Sequence, residues 1–422
     1  MLHRNAFPSR PPQLTVAIGD FTKRLLRERR PVNFDAIVVG LGAMGSATLY
    51  QLALRGVAAL GIDMHHPPHD LGSSHGETRV TRQGVGEGSA YVPLVLRSHE
   101  IWRELESLTG QQLLLECGFL AIDGSPAGTP FHGQAGFFER TLSSARNFGI
   151  DHELLSTDQA RTRFPQFLLT GNERIYFEPG GGLVYPERCI AAQLEQAAVH
   201  GATIHSGERV VSIEARNGIV ELVTNVRTYQ APQVIVCAGG WSPALTRSAL
   251  APMRLLRQVL HWFEPVDSEL YVAGEFPTFI WLHGDNPECS FYGFPIAPGA
   301  TGGVKVATEN YSVALPEPEA MGRSVEASEV ARMHAEHVAG RLAGVSAKSV
   351  KSVACFYTFA PDGGFVIDSA PDLPGVTIVS ACSGHGFKHS AGIGEHVAQL
   401  VVEGGDRIAE FRLDRPGFVA SS

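Results

Sequence analysis

Three glycines at fixed spacing, Gly40-Leu-Gly42-Ala-Met-Gly45, stand between an apolar run at 34–39 and a helical pattern at 43–55. In that setting the first glycine permits a tight turn, and the second lets a pyrophosphate approach the backbone. The third lets helix and strand pack closely. The helix start then offers unpaired N–H groups and positive dipole to phosphate oxygens. Asp63 lies 23 positions beyond Gly40, closing a second apolar run at 57–62, where its carboxylate is placed to accept from ribose hydroxyls. Strand, turn, helix, strand and acid together predict a dinucleotide site. They do not separate FAD from NAD. A later run at 234–238 leads into Gly239 and Gly240, which suits the second phosphate-side turn of a flavoprotein with two dinucleotide-type pieces.

Other residues have several readings at this level. Lys305 sits in the apolar stretch Gly-Gly-Val-Lys-Val-Ala, where an unpaired ammonium is costly unless it snorkels to water. Six cysteines are too sparse for a disulfide framework, and none form a C-x-x-C pair. From position alone each reads as a buried or inert thiol. The triplet His65-His66-x-x-His69 invites a metal, but no acids are spaced as further ligands, and no metal is expected.

The elements that must position these groups come from 422 residues, 44% hydrophobic and 18% charged, enough for two or three domains' worth of chain. The formal net charge of -9 argues against nucleic acid, which needs concentrated Lys and Arg. It does not argue against a small anion. No apolar stretch is long enough to span a bilayer, and no membrane role is expected. Sparse cysteines suggest a reducing, cytoplasmic compartment. Residues 1–33 are rich in Arg and read as a disordered extension, with a transit peptide or an early start as alternatives. Monomer and homodimer stay equally open.

Helical patterns are expected at 91–108, 137–148, 189–200, 317–343 and 393–403. Strands are expected at 119–122, 203–205, 210–215, 219–224 and 376–380. Between 254 and 308, alternating segments at 279–282, 290–294 and 303–307 have no helix between them and suit an antiparallel sheet. The fold class is therefore α/β, a Rossmann-type dinucleotide-binding domain with a second, α+β substrate domain; the resemblance given next implies that the first is an FAD-binding domain of glutathione-reductase-like kind. The expected segments of that first domain are 34–115, 182–250 and 350–415. The substrate domain takes 116–181 and 251–349.

At this point specific residues match a known family. Gly72-Ser-Ser-His75-Gly-Glu-Thr-Arg79-Val-Thr-Arg82 resembles the flavin-proximal loop of monomeric sarcosine oxidase and N-methyltryptophan oxidase. The likeness continues through Gly86-Glu-Gly88 and Tyr91-Val-Pro-Leu. It returns at Cys355-Phe-Tyr357-Thr358, Pro361-Asp362, Phe365-Val-Ile-Asp368 and Ser383-Gly-His385-Gly-Phe-Lys388. It is looser in the middle, anchored by Tyr292-Gly-Phe-Pro295 and Lys305.

The resemblance implies FAD, bound covalently through Cys355, and oxidation of a secondary amino acid with release of hydrogen peroxide. It implies that Arg82 and Lys388 hold the substrate carboxylate, a task suited to paired cations. Lys305 would be the oxygen-activating lysine, a fixed cation where negative charge develops. His75 and Arg79 would lie beside the flavin, with Gly384, His385, Gly386 and Lys388 in the second glycine turn. Tyr292 and Tyr357 would line the substrate cavity, or else be ordinary aromatic core. One position departs: the family often has a His four residues after the lysine, and here that residue is Glu309. A carboxylate there favours a cationic or polar substrate group over a second anion, unless it faces solvent. Two other functions stay open, a flavin-dependent amino-acid dehydrogenase passing electrons to a carrier and a non-catalytic dinucleotide-binding protein.

Overall fold

A computed structural model describes residues 31–132 and 134–418 of the chain. The expected N-terminal extension lies outside the described residues, save its last few. Apolar runs with no polar face need cover on both sides, which parallel sheets provide. Ala36–Val39, Ala59–Asp63, Gln233–Val236 and Val376–Ser380 are such runs, and all are buried. They form the centre of a six-stranded sheet ordered Thr203–Ser206, Ala59–Asp63, Ala36–Val39, Gln233–Val236, Val376–Ser380 and Val366–Ser369. Every neighbouring pair is parallel except the last. Helix Ala43–Leu54 packs against helices Pro186–Val199 and Ser390–Val402. The approach is close because Gly394 has no side chain: a Cβ there would come within 2.5 Å of Ala47.

The second sheet is larger and mostly antiparallel. Its nine strands include Phe119–Asp123, Arg174–Glu178, Arg254–Pro265, Thr278–Leu282, Ser290–Phe294, Val304–Ala307 and Val345–Phe359. One internal pair, Thr278–Leu282 with Phe119–Asp123, is parallel. Phe276, Phe279, Trp281, Phe291 and Phe263 fill one face. Burying each such ring contributes roughly 1.5–3 kcal/mol. Several elements differ from expectation. The run at 317–343 is not one helix but a short 3-10 turn, helix Ala327–Met333 and a π-helical turn, His334–Val338. The helix expected from 189 begins at Pro186, whose missing N–H suits a first helical position. Strand Val345–Phe359 pairs along Arg254–Pro265, so residues 350–359 lie in the antiparallel sheet.

Candidate active site

A cavity of about 400 Å³ runs between the two sheets. Its lining includes Asp63, His65 and Val210, together with Arg79, Tyr357 and Gly384. Gly40 and Gly42 line it at the start of helix Ala43–Leu54. Gly40 has φ +87°, and a Cβ on it would meet Cys237 O at 2.7 Å. A Cβ on Gly45 would lie 1.7 Å from Gly40 O, so no other residue fits that turn. Gly384, also at positive φ, and Gly386 belong to the same wall. Thr358 on this wall has a buried hydroxyl with no partner among the described residues. A slot with a helix start, glycine turns and an unpaired wall hydroxyl fits an extended dinucleotide such as FAD.

Asp63 already accepts from Leu41 N at 2.7 Å and His65 N at 2.8 Å. Burial opposes its charge, but hydrogen bonds from His69, Leu41 and His65 win and hold its pKa below the usual value. Oδ2, which takes only the Leu41 N–H among the described residues, keeps a lone pair for a ribose. The histidine triplet splits up: His69 turns to Asp63 at 3.7 Å, while His66 bonds Ser206. Among the described residues no His, Cys, Asp and Glu cluster is placed to hold a metal ion.

Two cations converge where the slot meets the antiparallel sheet. Lys305 is 2% exposed. Its Nζ donates to Gly76 O and Thr78 O at 2.6 Å each and to Thr78 Oγ1 at 3.1 Å. Arg79 donates to the same Thr78 carbonyl at 3.0 Å and to Ser73 O. Burial, then the Arg79 charge, push the Lys305 pKa well down. Three oxygen acceptors resist that push, because they bind the ammonium best. His75 lies behind, buried, its Nε2 unpartnered among the described residues; burial and Arg79 lower its pKa to about 3. Cys355 is buried beside Leu260, Trp262 and Ala307, and burial raises its thiol pKa. Its neighbours Phe356, Tyr357 and Thr358 line the slot, as does Cys382.

Arg82 and Lys388 both face one internal carboxylate, Glu87. Arg82 Nη2 donates to both oxygens of Glu87, at 2.7 and 2.8 Å. Lys388 Nζ lies 3.5 Å from the same group and donates to His385 O at 2.9 Å. Burial alone would raise the Glu87 pKa; Arg82, Lys388 and His132 reverse this and hold it well below the usual value. Burial lowers Lys388 to about 8, against the pull of Glu87.

Glu309 is buried, not solvent-facing: it meets His132 Nε2 at 2.6 Å and accepts from the Tyr311 hydroxyl. Tyr292 and Tyr357 share a hydroxyl contact of 3.1 Å, and burial raises both pKa values. His385 bonds Gly363 O through Nε2, and burial drives its pKa well down. Glu87, His132 and Tyr311 received no role from the sequence. Glu87 lies inside a quoted motif, but nothing in a motif says which cation an acid will meet. His132 sits in a loop with no recognisable pattern.

Residues 35–400 match the model of the FAD dependent oxidoreductase family. Monomeric sarcosine oxidase of Streptomyces avermitilis is 36% identical over 377 residues, covering 88% of this chain and 94% of that protein. N-methyl-L-tryptophan oxidase of Yersinia pestis is 33% identical, covering 87% and 94%. Among solved structures, NikD, an unusual amino acid oxidase essential for nikkomycin biosynthesis, superposes in an open form with TM-score 0.76 at 23% identity, covering 89% of this chain and 96% of that one. Glycine oxidase from Geobacillus kaustophilus gives 0.68 at 20%, covering 91% and 99%. The structural likenesses show a shared fold. The family match and the near-complete sequence relatives together place this chain among the FAD-dependent oxidoreductases of the sarcosine oxidase family.

Proposed function

We propose that this enzyme oxidises the C–N bond of a small secondary amino acid, N-methyl or cyclic, yielding an imine and hydrogen peroxide. The observation that carries this reading is the meeting of Arg82 and Lys388 on one buried carboxylate, Glu87, with Phe387, the residue before Lys388, lining the slot. Side chains that grip one carboxylate in a buried pocket are built to grip another. FAD, held by Gly40, Gly42, Gly45 and Asp63, would accept the hydride and hand the electrons to oxygen. Arg82 and Lys388 would orient the substrate by its carboxylate, and Tyr292 and Tyr357 would exclude water from the amine. Lys305 and Arg79 would supply fixed positive charge where negative charge develops. Cys355 would fix the flavin covalently; Arg79 and Lys305 pull its thiol pKa back toward the thiolate that such attack requires.

A coupled peroxide assay with N-methyl-L-alanine, sarcosine, L-pipecolate and L-proline tests the reaction. Peroxide from at least one is expected; flavin bleaching without peroxide in air would overturn the oxidase assignment. Acid precipitation tests the bond. Yellow colour should stay with the wild-type pellet and wash out of Cys355→Ser.

A further inference from the structure

His132 lies at the end of Pro130–Phe131, the first arm of a hairpin whose second arm is Gln134–Ala135. Its main chain is pressed onto Gly363, where a Cβ would be 2.6 Å from His132 O. Its ring is fixed from both sides: Nδ1 is 3.0 Å from Glu87 Oε1, and Nε2 is 2.6 Å from Glu309 Oε1. A neutral imidazole donates from one nitrogen only, so two carboxylate partners require the imidazolium. Burial disfavours that charge, but Glu309 and Glu87 outweigh it and raise the His132 pKa. The other groups facing it are few. The His385 ring lies 5.0 Å away and stays neutral. Tyr311 donates to the far oxygen of Glu309. Arg82 and Lys388 reach His132 through Glu87, and half-buried Arg140 holds Gly86 O at 2.5 Å from outside.

The buried set thus has three cations, Arg82, Lys388 and His132, against two carboxylates, Glu87 and Glu309. Within that directly bonded set one positive charge is left over; Glu178, held by Gln83 N, Gly84 N and the Tyr176 hydroxyl, acts on Arg82 from outside the set, and burial raises its pKa. Glu309 lies against the slot: a Cβ on Gly384 would be 2.9 Å from Glu309 Oε1 and 3.1 Å from the Tyr357 ring. A substrate carboxylate arriving at Arg82 and Lys388 uses up the excess. A second carboxylate would be buried without a partner, which is costly.

We propose that His132, clasped as an imidazolium between Glu87 and Glu309, is a positioning and specificity-determining residue that tunes the pocket to amino acids bearing one carboxylate. This rests on the amino-acid reading above and deepens it. Binding of the substrate anion and protonation of His132 are then linked: each strengthens the other. Affinity changes about tenfold for each unit by which binding raises the His132 pKa.

The test uses holoenzyme and methoxyacetate, a carboxylate with no titrating amine, followed by calorimetry across a pH series. In wild type, affinity should fall in two steps as pH rises, one for Lys388 and one for His132. His132→Gln should keep only the Lys388 step. Glu309→Gln removes one of the two carboxylates and should move the His132 step to lower pH. It should also raise the affinity for malonate relative to methoxyacetate. Superimposable pH profiles for wild type and both variants would overturn the assignment. Failure of wild type to bind methoxyacetate at any pH would instead overturn the amino-acid reading itself.

Discussion

Lys305 and Arg79 donate to one carbonyl, Thr78 O, so two like charges are held side by side next to the slot. Such an arrangement costs stability, and it persists because backbone oxygens accept from both. Under the proposed function its use would be electrostatic, with positive charge in place before negative charge forms. Lys305→Met should slow reoxidation by oxygen roughly 10²–10³-fold while anaerobic bleaching by the amine continues, the size expected for one preorganised group. Stopped-flow mixing with oxygenated buffer measures this, and an unchanged rate would favour a carrier-linked dehydrogenase. Arg82→Gln should raise KM far more than it lowers kcat, because it removes the bidentate grip on an anion. The loss should be about 2–5 kcal/mol, the range for truncating one partner of a buried charge pair. Steady-state kinetics on one N-methyl amino acid decides it. Arg82, Lys388 and Lys305 stood out in the sequence only through motifs that resemble the family's. Their partners did not: Glu87 and His132 acquire meaning only when residues far apart in the chain are folded onto them.

The glycine turn and the loop at 76–78 act as units. Gly45→Ala places a methyl 1.7 Å from Gly40 O, so the turn must open and the slot lose its shape. The variant should fold with little bound flavin, read as the ratio of visible to ultraviolet absorbance; full occupancy would contradict the assigned role of the turn. Gly76 and Glu77 both have positive φ, a turn that brings the Gly76 and Thr78 carbonyls onto Lys305, while Glu187 accepts from the N–H groups of Gly76 and Glu77. The βαβ start was legible because its apolar runs and glycine spacing are local. The start of helix Pro186–Val199 was missed although Pro186 signals it. The run at 317–343 was over-read as helix. Its polar residues follow no single apolar stripe, and the chain there turns back to seat the long strand Val345–Phe359.

At the scale of the molecule, the two sheets matter because the site lies between them, and buried charge makes that junction pH-dependent. Glu87 has a depressed pKa in the folded state. Its contribution is therefore present above the unfolded value of about 4.3 and lost as pH falls through the folded value. Lys388 is also depressed, to about 8 against about 10.4 unfolded. Between those values the unfolded chain binds more protons, so stability should climb with pH there. Lys388→Met should reduce that climb, seen as a smaller rise of the denaturant midpoint across the interval, with Lys305, whose pKa is also lowered, supplying part of what remains. An undiminished climb in the variant would assign it to another group. The parallel sheet, the antiparallel sheet and their order along the chain were foreseeable from pattern. The junction was not, because charge balance across it depends on three-dimensional contacts. The central claim is hydride removal from a secondary amino acid, and anaerobic titration of the yellow holoenzyme with N-methyl amino acids and cyclic imino acids tests it most directly. At least one should abolish the visible flavin absorption, and air should restore it. If none does while dithionite does, the proposed chemistry is wrong.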